Sequence, residues 1–410
     1  LTLCARILHA TLKLVLVSLR EKDVLLLNEF GYKRFFVVDG YEMVAHFLSS
    51  YHRSNSSTPA LFSGDFSTLY TSIPHQDLLA RINQTCSEAW SFESERKGYE
   101  VALCVKSWAN SVASEWTRAG RACPSFENGQ WRFNLSALSA LVGFVVGNTF
   151  VLNNGVLRKQ VIGIPMGTNP GPDLANLYLY AYESTFVDKL VKIHGLSAAK
   201  FFRYSFRLID DVFSVDNCFA FLFLERANTS DVVLGGVYPG VLTLNETTVS
   251  RGICECKFQT GALLHSRSIA DDFRQLVCSC ISEPPVGVVH FLGMVIKESE
   301  SGDTLDTDVF DKRLSFKFKV IRFPHLDSVI PTNIPYGVFK GMLFRASRIC
   351  SKREHFSHHA GTFARILVEN GCSRIRLARA FRSFLCEIRP FRWQCSLSSL
   401  CHSFVVALGS

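Results

Sequence analysis

The sequence lacks an uninterrupted hydrophobic run of membrane length. Its most apolar stretch, residues 1–19, is broken by Arg6, His9 and Lys13, and no small-residue cleavage site follows it. A membrane-spanning helix needs about 20 consecutive apolar residues, and a secretory signal needs such a cleavage site. We therefore expect residues 1–19 to form an amphipathic or buried helix, in a protein without a membrane partner.

The sequence also lacks a regular cysteine framework. Its 14 cysteines are scattered over 410 residues, and a chain this long can bury a core without disulfides. Reduced thiols in an intracellular protein are therefore expected. Cys254 and Cys256 could join Cys278 and Cys280 as zinc ligands, but the spacing within each pair is too tight and no partner histidines accompany them. This pattern argues against zinc there.

The composition indicates a folded chain of two or three subdomains. A hydrophobic content of 48% and an aromatic content of 12% exclude a disordered protein. Residues 312–392 contain 17 Lys and Arg against 4 Asp and Glu, a net charge of +13, which leaves −5 for the rest of a chain whose total is +8. A basic C-terminal part suits binding to a polyanion, although a basic solvated surface would look the same.

The stretch from Leu61 to Leu79 predicts a strand that ends near an acid. We expect the strand to run into Asp65, followed by an irregular turn and a helix whose first turn contains Pro74. An acid at the end of a buried strand is costly unless it is paired or metal-bound. Tyr70 follows five residues later and would form a wall beside it. Alternatively, Asp65 is a cap or turn residue and Tyr70 belongs to the core.

A second stretch, residues 163–172, contains three glycines and three prolines and precedes a predicted helix that begins near Asp173. A rigid loop with little side-chain bulk lets a flat or charged molecule approach the backbone. Its spacing fits neither the Walker nor the dinucleotide-binding pattern. The alternative is that these glycines and prolines only terminate the preceding element before a buried helix, without a binding role.

A third stretch places Asp210 and Asp211 between two short apolar runs. Strand-forming residues on both sides predict a strand, a tight turn and a returning strand. Side chains of neighbouring strand residues point to opposite faces, whereas at a turn tip two acids can converge on a cation. A solvated hairpin tip is the alternative for this stretch taken alone.

Elsewhere the pattern predicts mainly helix from Ile82 to Val151 and a hairpin from Phe150 to Gln160. Val288 to Lys297 is predicted as one strand, and Gly252 to Phe258 as another. Basic residues mixed with aromatics after Asp311, and an arginine-rich helix at 373–385, suit contact with sugar and phosphate.

Taken together, three carboxylates on strand ends form a ligand set for two Mg²⁺ ions, with Mn²⁺ as an alternative. In two-metal chemistry the ions lie about 3.5–4 Å apart, one activating an attacking hydroxyl and the other stabilising the leaving pyrophosphate. Asp65 and Asp210 would bridge the ions, with Asp211 close by.

The three stretches, SGDFSTLYTSIPHQDLL, QVIGIPMGTNPGPDLANLYLYAYE and FRLIDDVF in that order, resemble the palm regions of reverse transcriptases. The GIPMG and LYTSIP runs look most like Penelope-like retroelements, which are relatives of telomerase. The FLGMVI run and residues 334–350 also fit that family's later palm and thumb.

The resemblance implies an α+β fold with a right-hand polymerase palm, an antiparallel sheet packed on helices. The implied domains are listed in chain order: an N-terminal helical segment with partial fingers at 1–60, the palm at 61–310 with a helical finger-like insertion about 84–150, a helical basic thumb at 311–392, and an uncharged tail at 393–410.

The same resemblance implies an RNA-directed DNA polymerase that extends a primer 3′-OH with dNTPs. Its partners would be an RNA template and a DNA primer, and its compartment the nucleus. The catalytic, metal-binding acids would be Asp65, Asp210 and Asp211. The nucleotide-binding residues would be Phe66, Tyr70, which would exclude a ribose 2′-OH, Gly163, Pro165, Met166 and Gly167. The residues implied to bind nucleic acid are Lys312, Arg313, Lys317, Lys340, Arg345 and Arg348.

The chain departs from the family pattern at three positions. Leu208 stands where the family usually has Tyr, Gly293 where it has Asp, and Glu246 near a position that commonly supplies Lys. An ionised Glu cannot protonate a leaving pyrophosphate. Neither the family's fingers motifs nor a nicking-endonuclease domain is visible, so we expect a fragment. A truncated or inactive derivative that only binds nucleic acid is the alternative. A metal-dependent phosphohydrolase is disfavoured because no histidine or further acid accompanies the Asp pair.

Overall fold

The computed structural model describes residues 2–52, 60–108, 111–120, 129–217, 219–227, 234–249, 288–318, 323, 325–329, 331–388, 400–401 and 404. The helices are α1 (Thr2–Phe30), α2 (Tyr41–Ser49), α3 (Leu69–Ser72), α4 (His75–Lys97), α5 (Leu135–Gly147), α6 (Gly171–His194), α7 (Leu196–Ala199), α8 (Ile334–Ile349), α9 (Arg353–Glu369) and α10 (Arg374–Glu387). The strands are β1 (Leu61–Phe66), β2 (Val101–Trp108), β3 (Ser111–Arg118), β4 (Gln130–Phe133), β5 (Phe150–Asn153), β6 (Val156–Lys159), β7 (Ser205–Leu208), β8 (Asp211–Val215), β9 (Leu244–Val249), β10 (Val288–Phe291), β11 (Met294–Glu298) and β12 (Leu305–Val309). The mixture of helices and antiparallel sheets that the sequence predicts is confirmed.

The chain divides into two compact units. Unit 1 comprises residues 1–37 and 60–284, and unit 2 comprises residues 38–59 and 285–410. The division falls before β10, whereas the predicted border between palm and thumb follows residue 310. The reason is that β12 is hydrogen-bonded to the end of α8, where the Ser351 N–H donates to the Thr307 carbonyl at 2.9 Å.

The main sheet of unit 1 has the strand order β7-β8-β1-β9, with every neighbouring pair antiparallel. Its two central strands are buried almost continuously, as in Leu61–Gly64 and Val212–Val215. Continuous burial means that both faces of these strands are covered. The predicted hairpin of Asp210 and Asp211 is confirmed as β7, a two-residue turn and β8.

Four long helices of unit 1, α1, α4, α5 and α6, pack on one another. Helix α1 buries Leu8, Leu12, Val15 and Leu19 completely, and this three- and four-residue spacing is the amphipathic stripe that the sequence predicts. By length and composition α1 is also apolar enough to cross a membrane, the one such helix among the described residues, and 56% of its most apolar part is buried inside the protein.

The predicted helical character of residues 82–151 is wrong in its middle part. After α4 the chain forms a three-stranded antiparallel sheet in the order β3-β2-β4, before α5 begins. The core strand starts with Val101–Val105, five consecutive buried residues. A short, continuously apolar run has no periodicity that separates a buried strand from a buried helix. The predicted hairpin that follows α5 is confirmed as β5 and β6.

Unit 2 contains α2, the sheet β10-β11-β12 and the helices α8 to α10. The predicted strand from Val288 to Lys297 is in fact a hairpin, because Leu292 and Gly293 both have positive φ and make a two-residue turn between β10 and β11. The predicted strand at 252–258, the four cysteines between 254 and 280 and most of the tail lie outside the described residues.

A buried ion pair links helix α6 to strand β7 in unit 1. Arg207 and Glu183 are both 0% exposed, and the Arg207 Nε donates to Glu183 Oε1 at 2.5 Å. Tyr238 donates its hydroxyl to the same carboxylate oxygen at 3.0 Å. Two charges withdrawn from water in this way are tolerated only while they compensate each other.

We expect Glu183→Gln to lower the free energy of unfolding by about 3–5 kcal/mol, because it leaves the buried Arg207 guanidinium without a counter-charge. Chemical denaturation followed by circular dichroism measures this loss. Glu29→Gln, at an exposed position of α1, is the matched control and should change stability by less than about 0.5 kcal/mol. Equal stability of the two variants would contradict the assigned role of the pair.

Candidate active site

Strand pairing brings together the three acids that the sequence singles out. In the register of β1 and β8, Asp65 lies directly opposite Asp211, and the Phe66 N–H donates to the Asp210 carbonyl at 3.0 Å. Directly opposed residues of antiparallel strands have Cβ atoms about 4.5–5.5 Å apart on one face of the sheet. Asp65 and Asp211 are therefore neighbours, and Asp210 occupies the adjoining turn.

The turn that carries Asp210 is held in a strained conformation. Ile209, the first turn residue, has φ +56°, a left-handed value that is costly for a β-branched side chain. The Arg207 Nη1 donates to the Ile209 carbonyl at 3.1 Å and to Asn176 Oδ1 at 2.8 Å. The buried guanidinium thus fixes the turn to α6. Arg207 was not predicted as a site residue; the signal for it in the sequence is a lone cation within an apolar run.

The three acids form an uncompensated cluster of negative charge. Among the described residues, none of the three forms an ion pair with a Lys, Arg or His side chain. Burial, together with the neighbouring charges of Asp210 and Asp65, raises the pKa of Asp211 to about 6. Burial also raises the pKa of Asp210, opposed by a backbone hydrogen bond and reinforced by Asp65. Three neighbouring carboxylates without a basic partner suit a hard divalent cation such as Mg²⁺, although their oxygens do not all lie within 4.8 Å of one another in this structure.

A pocket of ≈ 330 Å³ opens beside Tyr70 in unit 1. The residues that line it are Tyr70, Pro165, Met166, Gly167, Thr168, Asn169, Gly171 and Pro172. Burial raises the pKa of the Tyr70 hydroxyl, and the charges of Asp210 and Asp173 raise it further. The Tyr70 side chain is therefore within electrostatic reach of the acid cluster while it forms one wall of the pocket.

The glycine-rich loop is fixed against the turn that contains Tyr70. The Ile164 N–H donates to the Tyr70 carbonyl, and the Gly163 N–H to the Ile73 carbonyl, each at 2.8 Å. Gly163 has φ +85°, and a Cβ at this position would lie 2.3 Å from the Tyr70 carbonyl oxygen. Only glycine fits so close a contact. The loop is consequently a rigid wall.

The predicted nucleotide-binding residues occupy different places around this pocket. Tyr70, Pro165, Met166 and Gly167 all line it, and Gly163 anchors the loop against the chain after α3. Phe66 does not belong to this group, because its side chain is 4% exposed and packs edge-on against Tyr238 in the core. The binding roles themselves stay predictions.

Strand β9 flanks the acids on the other side of β1. Asn245 lies opposite Asp65, and Glu246 lies opposite Gly64. Since successive strand residues point to opposite faces, Asn245 shares the face of the acids and Glu246 does not. Glu246 is one of the three departures from the family pattern, but the exposed Asn245 is the β9 residue beside Asp65.

The basic residues predicted to grip nucleic acid lie in unit 2, and several already have partners. Arg313 pairs with Asp311 at 3.0 Å, Lys340 with Glu387, and Arg348 with Glu42. Lys312 and Lys317 are exposed and form no ion pair with any other residue that the structure describes. Four arginines of α10 are also exposed: Arg374, Arg376, Arg379 and Arg382.

The Arg345 side chain is half-buried in unit 2 and is held by contacts within that unit. Its Nη2 donates to the Leu292 carbonyl at 3.2 Å, and its guanidinium lies 5.1 Å from the ring centroid of Tyr41. A Cβ on Gly293 would come within 2.1 Å of the same Nη2. The flexible Arg345 side chain could move aside, so the preference for glycine at position 293 comes from its positive φ of +70°.

No family model matches the chain, and no curated protein matches it. Among solved structures, the chain is similar to telomerase from Candida albicans in complex with a TWJ fragment of telomeric RNA, at 11% identity and a TM-score of 0.46, over 98% of this chain and 53% of that chain. It is also similar to apo telomerase from Candida tropicalis, at 10% identity and a TM-score of 0.42, over 98% and 54% of the two chains. For the Candida tropicalis telomerase in complex with a TWJ fragment of telomeric RNA, the identity is 12% and the TM-score 0.40, over 97% and 51%. The chain spans about half the length of these telomerases.

We expect Asp211→Asn to stabilise the protein at neutral pH in the absence of divalent cations. Because the folded-state pKa of Asp211 is about 6, above its usual value of 3.8, the folded state loses stability as pH rises through this interval. After a discount for solvent screening, we expect the substitution to raise the free energy of unfolding by about 1 kcal/mol, which corresponds to about 2–4 °C in Tm. Thermal unfolding at pH 7.5 and at pH 4 measures it, and the difference should vanish at pH 4.

Added Mg²⁺ provides the counter-test. It should raise the Tm of the wild-type protein and of the exposed control Glu29→Gln, but raise that of Asp211→Asn less. If Mg²⁺ stabilised all three proteins equally, the ion would be acting elsewhere.

Proposed function

We propose that this chain is an RNA-directed DNA polymerase that extends a primer 3′-OH with dNTPs, of the Penelope-like reverse transcriptase type. The observation that carries the proposal is the pairing of Asp65 with Asp211 at adjacent strand ends, with Asp210 in the next turn. These acids have no basic partner within the described part of the chain, and the charge of Asp210 raises the pKa of Tyr70 in the pocket wall. Nucleotidyl transfer requires this combination of a cation site and a substrate pocket.

The residues present fit two Mg²⁺ ions, held by Asp65, Asp210 and Asp211. When bound, the ions neutralise charge on the triphosphate and make the primer hydroxyl a better nucleophile. The contribution of the chain is to fix the ligand oxygens before substrate arrives, because the strand register and the contact of Arg207 with Ile209 leave the acids little freedom.

The pocket supports a role in binding the incoming nucleotide. Pro165, Met166 and Gly167 offer backbone and a flat apolar surface for a base or sugar. Tyr70 lines the same pocket and feels the charge of Asp210, so its ring would collide with a ribose 2′-OH and favour deoxynucleotides. The anchored loop would hold this wall in place during the reaction.

Unit 2 supports binding of the primer–template duplex. Lys312, Lys317 and the exposed arginines of α10 present positive charge to solvent. Contacts of this kind bind phosphates with little regard to sequence, and their strength falls as salt rises.

The second candidate is a reverse-transcriptase-derived protein that binds nucleic acid without catalysis. It is favoured by the composition of β9, LNETTV, which contains no lysine to protonate the leaving pyrophosphate. Retention of all three acids favours the first candidate. Primer extension and duplex binding, measured on the same preparation, separate the two.

Asp210→Asn should reduce extension of a DNA primer on an RNA template by at least about 100-fold, because it removes a carboxylate from the cation site. Duplex binding in a filter or fluorescence assay should stay within about twofold of wild type. Glu29→Gln provides the control with normal extension. Wild-type protein that binds the duplex but never extends the primer would establish the second candidate instead.

Tyr70→Ala should admit ribonucleotides, because removal of the ring opens the pocket wall next to the acids. Tyr70→Phe keeps the ring and should retain deoxynucleotide selection. Single-nucleotide extension reactions with dNTP and with rNTP give the ratio of dNTP to rNTP incorporation for each variant. An unchanged ratio in Tyr70→Ala would remove the gate role from Tyr70.

A further inference from the structure

A second cluster of metal-binding side chains lies in unit 2 and plays no part in the proposed reaction. It consists of Asp308 on β12, Cys350 at the end of α8, and His355 and His359 on α9. The ligand atoms of Asp308, Cys350 and His359 all lie within 4.8 Å of one another. His359 Nε2 is 2.8 Å from Asp308 Oδ1, and Cys350 Sγ is 3.5 Å from the same oxygen.

The fold brings these residues together through contacts around β12. The Thr307 N–H donates to Ser351 Oγ at 3.1 Å, and the Ser351 N–H returns to the Thr307 carbonyl at 2.9 Å. These bonds hold Cys350 next to Asp308. His355 and His359 are four residues apart and therefore share one face of α9. Both rings contact Asp308.

Hydrogen bonding alone leaves this cluster incompletely satisfied. His355 Nδ1 is buried and has no hydrogen-bond partner among the described residues, although Asp308 Oδ2 is 3.5 Å away. The Cys350 side chain is completely buried against the carboxylate. A buried polar atom that no protein group satisfies indicates a ligand.

We propose that Asp308, Cys350, His355 and His359 bind one Zn²⁺ ion. One thiolate, two imidazoles and one carboxylate form the mixed sulfur, nitrogen and oxygen set that zinc takes in tetrahedral sites. Bonds of about 2.0–2.3 Å to zinc place neighbouring ligand atoms about 3.3–3.8 Å apart. Cys350 Sγ and His355 Nδ1 are each 3.5 Å from an Asp308 oxygen, and the 2.8 Å hydrogen bond between His359 and Asp308 would lengthen when the ion enters. Binding releases the Cys350 thiol proton to solvent.

Such an ion would be structural. Asp308, Cys350 and His359 have ligand atoms within 4.8 Å of one another, and His355, once its ring turns toward them, would complete a four-ligand site with no position open for a substrate. The ion would join β12, α8 and α9, the elements from which the basic helical part of unit 2 is built. It is chemically distinct from the cluster of Asp65, Asp210 and Asp211, which offers oxygen alone and suits Mg²⁺.

Metal titration of the 410-residue chain tests the proposal. The protein is stripped with a chelator and titrated with Zn²⁺ alone against a chromophoric competitor, and separately with Co²⁺, whose thiolate complexes show a charge-transfer band. We expect one tightly bound ion per chain and a Co²⁺ band that Cys350→Ser abolishes. Cys350→Ser and His359→Gln should each weaken Zn²⁺ binding by at least about tenfold.

Two variants of the same residue types in unit 2 provide matched controls. Cys372→Ser changes another buried thiol of unit 2, and His358→Gln changes an exposed histidine adjacent to His359. Both should bind zinc as the wild-type protein does. His355→Gln, at a half-buried position, gives a further test if Cys350→Ser fails to fold.

The proposal is overturned if the wild-type chain binds no zinc stoichiometrically. It is also overturned if the Cys350, His355 and His359 variants bind zinc as tightly as the controls, since the ion would then lie elsewhere. The readout is metal binding alone, so either result leaves the polymerase proposal untouched.

Discussion

The geometry of the candidate site depends on one fully buried interaction, the ion pair of Arg207 with Glu183. Both side chains are fully buried, so each charge must be satisfied within the protein. The guanidinium meets the Glu183 carboxylate, Asn176 and the Ile209 carbonyl. It therefore ties α6, which follows the glycine-rich loop, to the turn that carries Asp210. This buried cation positions the turn of Asp210 relative to α6, while backbone hydrogen bonds of Gly163 and Ile164 fix the loop that lines the pocket.

This arrangement accounts for how the protein tolerates a locally unfavourable site. Strand pairing forces Asp65 and Asp211 side by side, and the turn holds Ile209 at a strained φ. Like charges and strain both oppose folding, and they persist only where the surrounding structure fixes them. The buried aromatic core around Phe202 and Phe223 supplies that support.

The sequence predicted those parts whose signal is local. Asp65 and Asp210 stand out because acids at strand ends and turns contradict their apolar surroundings, and the glycine-rich loop is marked by its composition. Arg207 was missed because its partner lies 24 residues away, a separation that follows no local period. The central strand β2 of the sheet β3-β2-β4 was missed because a continuously buried run has no alternation to separate strand from helix. The cluster around Asp308 is assembled from separate elements, and only the four-residue spacing of His355 and His359 hints at it.

The course of the chain between the two units has a consequence for synthesis and for dissection. The polypeptide leaves unit 1 after residue 37, contributes α2 to unit 2, and re-enters unit 1 at residue 60. Helix α2 packs against α8 and β12 and carries Glu42, the partner of Arg348. It therefore emerges from the ribosome long before the segments that cover it and must await them, a non-local closure that slows folding. Removing everything after residue 284 would strip α2 of its partners, so neither unit is a contiguous, separable piece.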